Sequence, residues 1–173
     1  SGSIFGYPYT EDESELLLLP VPWDVTVSYG GGASQGPQSI LEASPQLDLS
    51  MHHVSKPWLY SCAMLPSDAA LIDLNEQLRP QALAVIEALE EGKKPQQLAL
   101  DNVNLGCEQM VNRVYELSKY WLDKGVSIGL VGGDHSTPLG LLRALSERGS
   151  FGILQIDAHM DLRSAYEGFK YSH

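Results

Sequence analysis

With 173 residues, 43% of them hydrophobic, and a formal net charge of −11, the chain is long enough to fold as one domain around a buried core. Its acidity excludes a nucleic-acid role built on a basic patch, because no cluster of Lys and Arg is present to displace counterions from phosphates. Cys62 and Cys107 stand far apart without Cys-x-x-Cys spacing, which excludes a disulfide framework and a thiolate metal site and makes a reducing compartment the default.

Ser1-Gly2-Ser3 reads as a tag remnant. Residues 15–20 read as a short buried strand, and the following 21–36 as a Gly/Pro/Ser-rich loop holding Gly30-Gly31-Gly32, which has the freedom to approach a ligand closely. Pro37 fits the first turn of a helix that Pro45 stops. The stretch 46–66 is consistent with one or two strands, and His52 and His53 within it have no partner at metal-ligand spacing. No apolar run approaches the roughly 20 residues of a bilayer span, Leu16 to Leu19 being cut by Pro20 and Pro22. No basic stretch leads into an apolar one at the start, so the cytoplasm is the expected location, with no membrane partner.

Farther along, residues 80–91 place Leu83, Ile86 and Leu89 on one helical face, with Pro80 at the start and Gly92 just beyond the end. A longer helix is predicted from about 104 to 124, where Cys107, Met110, Val111, Val114, Leu117 and Trp121 recur at three- and four-residue steps as a core stripe. Then come a strand at 126–131, a helix at about 138–147 and a strand at 151–156. That alternation is the pattern of an α/β parallel sheet with helical crossovers.

Two short segments at predicted strand ends carry the chemistry. Gly132-Gly133-Asp134-His135-Ser136 follows the strand at 126–131, and Asp157-Ala158-His159-Met160-Asp161 follows the one at 151–156. On extended backbone side chains repeat with period two, so Asp157, His159 and Asp161 are expected on one side. Open α/β sheets bind ligands beyond the carboxyl ends of their strands. Together with His135 these residues form a candidate metal cluster. Carboxylate oxygens beside neutral imidazoles suit a divalent ion such as manganese, zinc, nickel or iron. Asp134 cannot easily point the same way as His135 and reads as a supporting or backbone-capping residue. Taken singly, either segment also reads as the cap of a following helix, and Ser136-Thr137-Pro138 does supply a cap and a first-turn proline.

This pair of segments, in this order, resembles the ureohydrolase family, the arginase and agmatinase enzymes. The likeness runs on through Asp161-Leu162-Arg163 and Tyr166-Glu167-Gly168-Phe169-Lys170-Tyr171-Ser172-His173, closer to the agmatinase branch than to arginase. Upstream it includes Gly36-Pro37, Ile40 and Ala43-Ser44, although Leu41 stands where an arginine is common. The resemblance implies an arginase-like, three-layer αβα parallel sheet in a single domain over 1–173, here incomplete at its C-terminal side. It also implies two manganese ions per site, with nickel, zinc or iron as alternatives, sharing a bridging hydroxide. On that pattern His135 and Asp161 match ligands of one ion, His159 matches a ligand of the other, and Asp157 matches the carboxylate bridging both. His173 matches a catalytic histidine that shuttles protons near the substrate, a task suited to a group whose ordinary pKa is about 6.5.

The implied reaction is hydrolysis of a small cationic guanidino compound, agmatine first, to urea and an amine, which would place the protein in polyamine biosynthesis. An acidic chain favours such a cationic partner. Guanidinobutyrate, aminopropylagmatine, guanidine, arginine and formiminoglutamate remain open as substrates. A metal-binding or structural subunit without catalysis is a further reading, whereas against a single-zinc amide deacetylase of related fold Asp161 together with His135 argues for two metals. The family commonly forms homo-oligomers, trimers or hexamers. Its later Asp-x-Asp motif and guanidinium-binding acid fall beyond His173, so the expectation is the N-terminal part of a longer protein. Alone, that part is expected to be inactive and to expose an apolar strand edge.

Overall fold

The computed structural model describes residues 3–50 and 52–172. In chain order the elements are β1 (Leu16–Val21), α1 (Gly36–Ala43), β2 (Cys62–Met64), α2 (Ala69–Glu90), α3 (Gln97–Asp123), β3 (Ser127–Gly132) and α4 (Leu139–Ser146), with short 3-10 turns between some of them. The strands form one parallel sheet in the order β2-β1-β3. Central β1 pairs from Leu16↔Cys62 to Leu18↔Met64 on one side and from Leu16↔Ser127 to Val21↔Gly132 on the other. A central parallel strand is covered on both faces, which is why β1 reads as an unbroken apolar run instead of an alternation.

Leu17, Leu19 and Val21 point into the larger core, where they join Leu78, Val85 and Ile86 of α2 and Cys107, Met110, Val111 and Val114 of α3. Leu18 and Met64 face the opposite layer with Ile4, Tyr7 and Leu41. Helices and the N-terminal segment thus sandwich the sheet, the three-layer α/β arrangement that the family resemblance implies. None of the described helices is long and apolar enough to cross a membrane.

Three features differ from the sequence reading. Helix α2 begins at Ala69, not Pro80, because the Asp68 carboxylate accepts the Ala70 N–H at 2.9 Å and caps the helix. An interior proline costs about 3 kcal/mol. Burial of Leu71, Leu78, Ala82, Val85 and Ile86 along the same helix offsets that cost. Helix α3 starts at Gln97, earlier than 104, with the Gln97 amide donating to Asp101 at 2.9 Å one turn on.

The third difference is the predicted strand at 151–156, which carries no regular structure. Its Ile153, Leu154 and Ile156 are 66%, 88% and 92% exposed. A parallel strand needs both a ladder partner and apolar cover on its faces. Among the described residues nothing supplies that cover beyond β3, none of whose residues is fully buried. Among the described residues of 46–66, only Cys62–Met64 forms a strand.

The loop after β1 is fastened to α2. The Asp24 carboxylate accepts the Gly32 N–H at 2.8 Å and the Asn75 amide at 3.0 Å, while the Asp24 N–H donates to the Asn75 amide oxygen at 2.8 Å. One helical turn on, Arg79 donates to the carbonyls of Val25 at 2.9 Å and Val27 at 2.7 Å. Burial alone would push the Asp24 carboxyl up, but the donors from Gly32, Asn75 and Ser34 outweigh it and hold the group below its ordinary value of 3.8. A lowered folded pKa stabilises the fold above the unfolded value, and that stabilisation is lost as pH falls through the folded value. Asp24→Asn is therefore expected to cost about 1.5 to 3 kcal/mol at pH 7. The gap between variant and wild type should narrow below pH 3.8; urea denaturation at both pH values measures it.

Candidate metal centre

The site grows from the register of β1 against β3. Because Val21 pairs with Gly132, the segments leaving the carboxyl ends of the two strands run side by side. The Asp134 N–H donates to the Trp23 carbonyl at 2.8 Å. Gly133 has φ +67°, and a Cβ there would sit 2.4 Å from the Trp23 carbonyl oxygen and 2.7 Å from that of Val21. Both obstacles are backbone and cannot rotate away. Asp134 is 5% exposed. One of its carboxylate oxygens accepts the Ser136 N–H at 3.0 Å and the Ser136 hydroxyl at 2.5 Å. Its other oxygen accepts the Thr26 hydroxyl at 3.5 Å, and its carbonyl accepts the Thr137 hydroxyl at 2.8 Å. Ser136 is thereby spent on the turn, and the N-cap of α4 is Pro138, without a side-chain cap.

The turn leaves His135 at the surface, facing the second segment. His135 Nδ1 lies 2.5 Å from an Asp161 oxygen and 3.5 Å from an Asp157 oxygen. The structure brings together one donor atom each from His135, Asp157 and Asp161, all within 4.8 Å of one another. Three such donors, two carboxylates and an imidazole, fit one divalent ion of hard or borderline character.

His159 is not in that group. Its ring nitrogen lies 3.8 Å from Asp157, and its side chain is 79% exposed. The reason is local. Residues 157–161 are not extended: the Asp157 carboxylate accepts the His159 N–H at 2.8 Å, the chain bends at Ala158 and His159, and Asp161 has φ +48°. The bend turns Asp161 back toward Asp157 and leaves the His159 ring outside. His173 lies outside the described residues.

Gln155 also enters the site, its amide donating to the Asp161 carboxylate at 3.4 Å and the His159 carbonyl at 3.3 Å. Period two before Asp157 was a signal that could have found it. The Thr26 contact had no such signal, since the two partners are 108 residues apart. Beside the cluster opens a cleft of about 730 Å³ whose lining includes Ser28 and Tyr29 from the β1 loop and His159, Asp161, Arg163 and Tyr166 from the second segment.

A parallel α/β fold with imidazole and carboxylate donors gathered beyond β3 defines a class of candidate metal-site proteins, and sequence comparison narrows it. The chain belongs to the Arginase family, whose model matches residues 14–173. It is 30% identical over 167 residues to an N(1)-aminopropylagmatine ureohydrolase of Thermus thermophilus, covering 96% of this chain and 46% of that relative. Against the protein of the same name from Synechocystis it is 27% identical, covering 93% of this chain and 45% of the relative. Against the agmatinase of Bacillus anthracis it is 28% identical, covering 100% and 50%. The crystal structure of the agmatine ureohydrolase of Thermoplasma volcanium shares the fold with a TM-score of 0.67 at 20% identity, over 100% of this chain and 47% of that one. The chain spans about half the length of the curated relatives it matches.

Gly133→Ala is expected to push the turn off the β1 loop, because the new methyl meets two carbonyl oxygens. A loss of about 2 kcal/mol or more follows from strain at a positive φ plus overpacking. The midpoint of urea denaturation measures it, and an unchanged midpoint would contradict the close approach.

Proposed function

We propose that the whole protein hydrolyses a linear guanidino compound to urea and an amine in a reaction dependent on two divalent ions, manganese first, with agmatine as substrate and putrescine as product. The observation that carries this reading is the convergence of His135, Asp157 and Asp161 at the end of the sheet in a chain of the Arginase family. The names of the relatives support the reaction class.

His135, Asp157 and Asp161 would hold a metal, and His159, beside Asp157 with its ring in solvent, would reach a second ion by turning about its side-chain bonds. Bound divalent ions lower the pKa of water from about 15.7 toward about 7 and so supply a nucleophile at neutral pH. The chain's own contribution is positional. Asp134 and Gly133 fix where His135 stands, while Gln155 and the Asp157 turn fix where Asp161 stands, and misplacing reacting groups by an ångström costs about 100-fold in rate. His173 is the proposed carrier of the proton to the leaving amine, a role suited to imidazole near neutral pH. The excess of 22 Asp and Glu over 11 Lys and Arg favours a cationic substrate over long range. A second reading, with N(1)-aminopropylagmatine as substrate, is favoured by the relatives from Synechocystis and Thermus that carry that name.

Metal analysis of the whole protein after dialysis against manganese should find about two ions per chain, as the proposed use of metal requires. Asp157→Ala should lose metal and about 100-fold or more in urea release. Full metal content in the variant would remove Asp157 from the ligand set. For the substrate, urea release is compared side by side for agmatine, N(1)-aminopropylagmatine, arginine, guanidinobutyrate and guanidine. Agmatine is expected to show the highest kcat/KM, and a higher value for another compound transfers the assignment to it.

A further inference from the structure

The β1 loop is anchored at two points with a short strap between them. Arg79 grips the Val27 carbonyl at 2.7 Å, and Asp24 grips the Gly32 N–H at 2.8 Å. Between these anchors lie Ser28, Tyr29, Gly30 and Gly31. Gly30 and Gly32 have φ of +61° and +117°, conformations that turn the strap sharply and that residues with a Cβ rarely adopt. The large side chain on the strap, Tyr29, is 94% exposed. It lines the same cleft as His159 and Asp161.

The cationic tail of the proposed substrate, set against the groups that line the cleft, decides where it can bind. Two phenol rings line the cleft, Tyr29 and Tyr166. The Tyr166 ring is already covered by the Arg163 guanidinium, 5.0 Å from its centroid. Asp161, the carboxylate in the lining, is engaged by His135. A cationic tail entering the cleft is therefore repelled on the Arg163 side and meets an open aromatic face at Tyr29. Ammonium groups are attracted to such faces within about 6 Å of the ring centroid.

We propose that Tyr29, presented by the strap that Asp24 and Arg79 anchor, is the specificity-determining residue that binds the distal ammonium of a guanidino substrate through its ring face. This rests on the hydrolase reading above for the identity of the substrate, and it commits to a cationic tail over an anionic one. The phenol oxygen is not required; the ring is.

The test compares wild type, Tyr29→Leu and Tyr29→Phe of the whole protein. Kd is measured by calorimetry with the metal removed by chelation, and kcat and KM by urea release with manganese present. The probes are agmatine, with a cationic tail, guanidinobutyrate, with an anionic one, and guanidine, with none. Tyr29→Leu is expected to weaken agmatine about 3- to 10-fold in both Kd and KM, with kcat and manganese content unchanged. Guanidine and guanidinobutyrate should keep their wild-type values, and Tyr29→Phe should stay within about twofold for all three. An unchanged agmatine Kd in Tyr29→Leu overturns the proposal. Equal weakening of agmatine and guanidine also overturns it, since that marks a general collapse of the strap. A wild type that binds agmatine with this Tyr29 dependence but releases no urea overturns the hydrolase reading and supports the role of Tyr29. A wild type that binds none of the probes overturns both.

Discussion

The parallel pairing of β1 with β3 is the constraint on which the rest of the structure depends. Its last rung, Val21↔Gly132, sets the segments after both strands in contact at the carboxyl edge of the sheet. From that contact follow the Asp134 N–H bond to Trp23 and the absence of room for a side chain at Gly133. The position of His135 follows in turn. Parallel ladders need helical crossovers, and the crossover between β2 and β3 is the α2–α3 pair that buries the main core. The scaffold that stabilises the sheet and the scaffold that aims the histidine are thus the same set of contacts.

The same helix layer reaches the site by a second route. Asn75 and Arg79, one turn apart on α2, hold the loop leaving β1 at Asp24, Val25 and Val27. Thr26 of that loop donates to Asp134 on one side, and Ser172 donates to the Thr26 carbonyl on the other, each at 3.5 Å. Residues from three distant parts of the chain are therefore tied through one loop. The donor cluster itself stands at the surface, with His135 and Asp157 exposed and Asp161 half-buried. A well-packed base under an open cluster suits a site that must exchange ligands while keeping its supporting groups in place.

The exposed run from Phe151 to Ile156 belongs to the same picture. Apolar residues with no cover gain nothing from adopting strand geometry, because the stabilisation of a parallel strand comes from burial on both faces. The solved relative of the same fold is about twice as long as this chain, 47% of it being matched.

The sequence by itself determined the kind of fold and the donor types that stand at its edge. The runs that became β1 and β3, the three- and four-step stripe of α3, and the Gly-Gly-Asp-His and Asp-x-His-x-Asp segments were legible because each is a local pattern, set by side-chain periodicity and donor type. It also carried the family resemblance that residues 14–173 then bore out. What it did not determine were features in which distant parts compete. Pro80 marked a helix start by local propensity, yet the helix runs through it because Leu71 and Leu78 on the earlier turns are buried in the core. Residues 151–156 read as a strand by composition, yet pairing and cover are properties of neighbours, not of the segment. The Asp157 and Asp161 carboxylates meet His135 through a bend that the period-two pattern did not contain, and that bend excluded the His159 ring. The Asp24–Asn75 contact, 51 residues apart, left no trace in either local stretch. Only tertiary packing decided these, because their energies come from groups that the chain brings together after its local structure has formed.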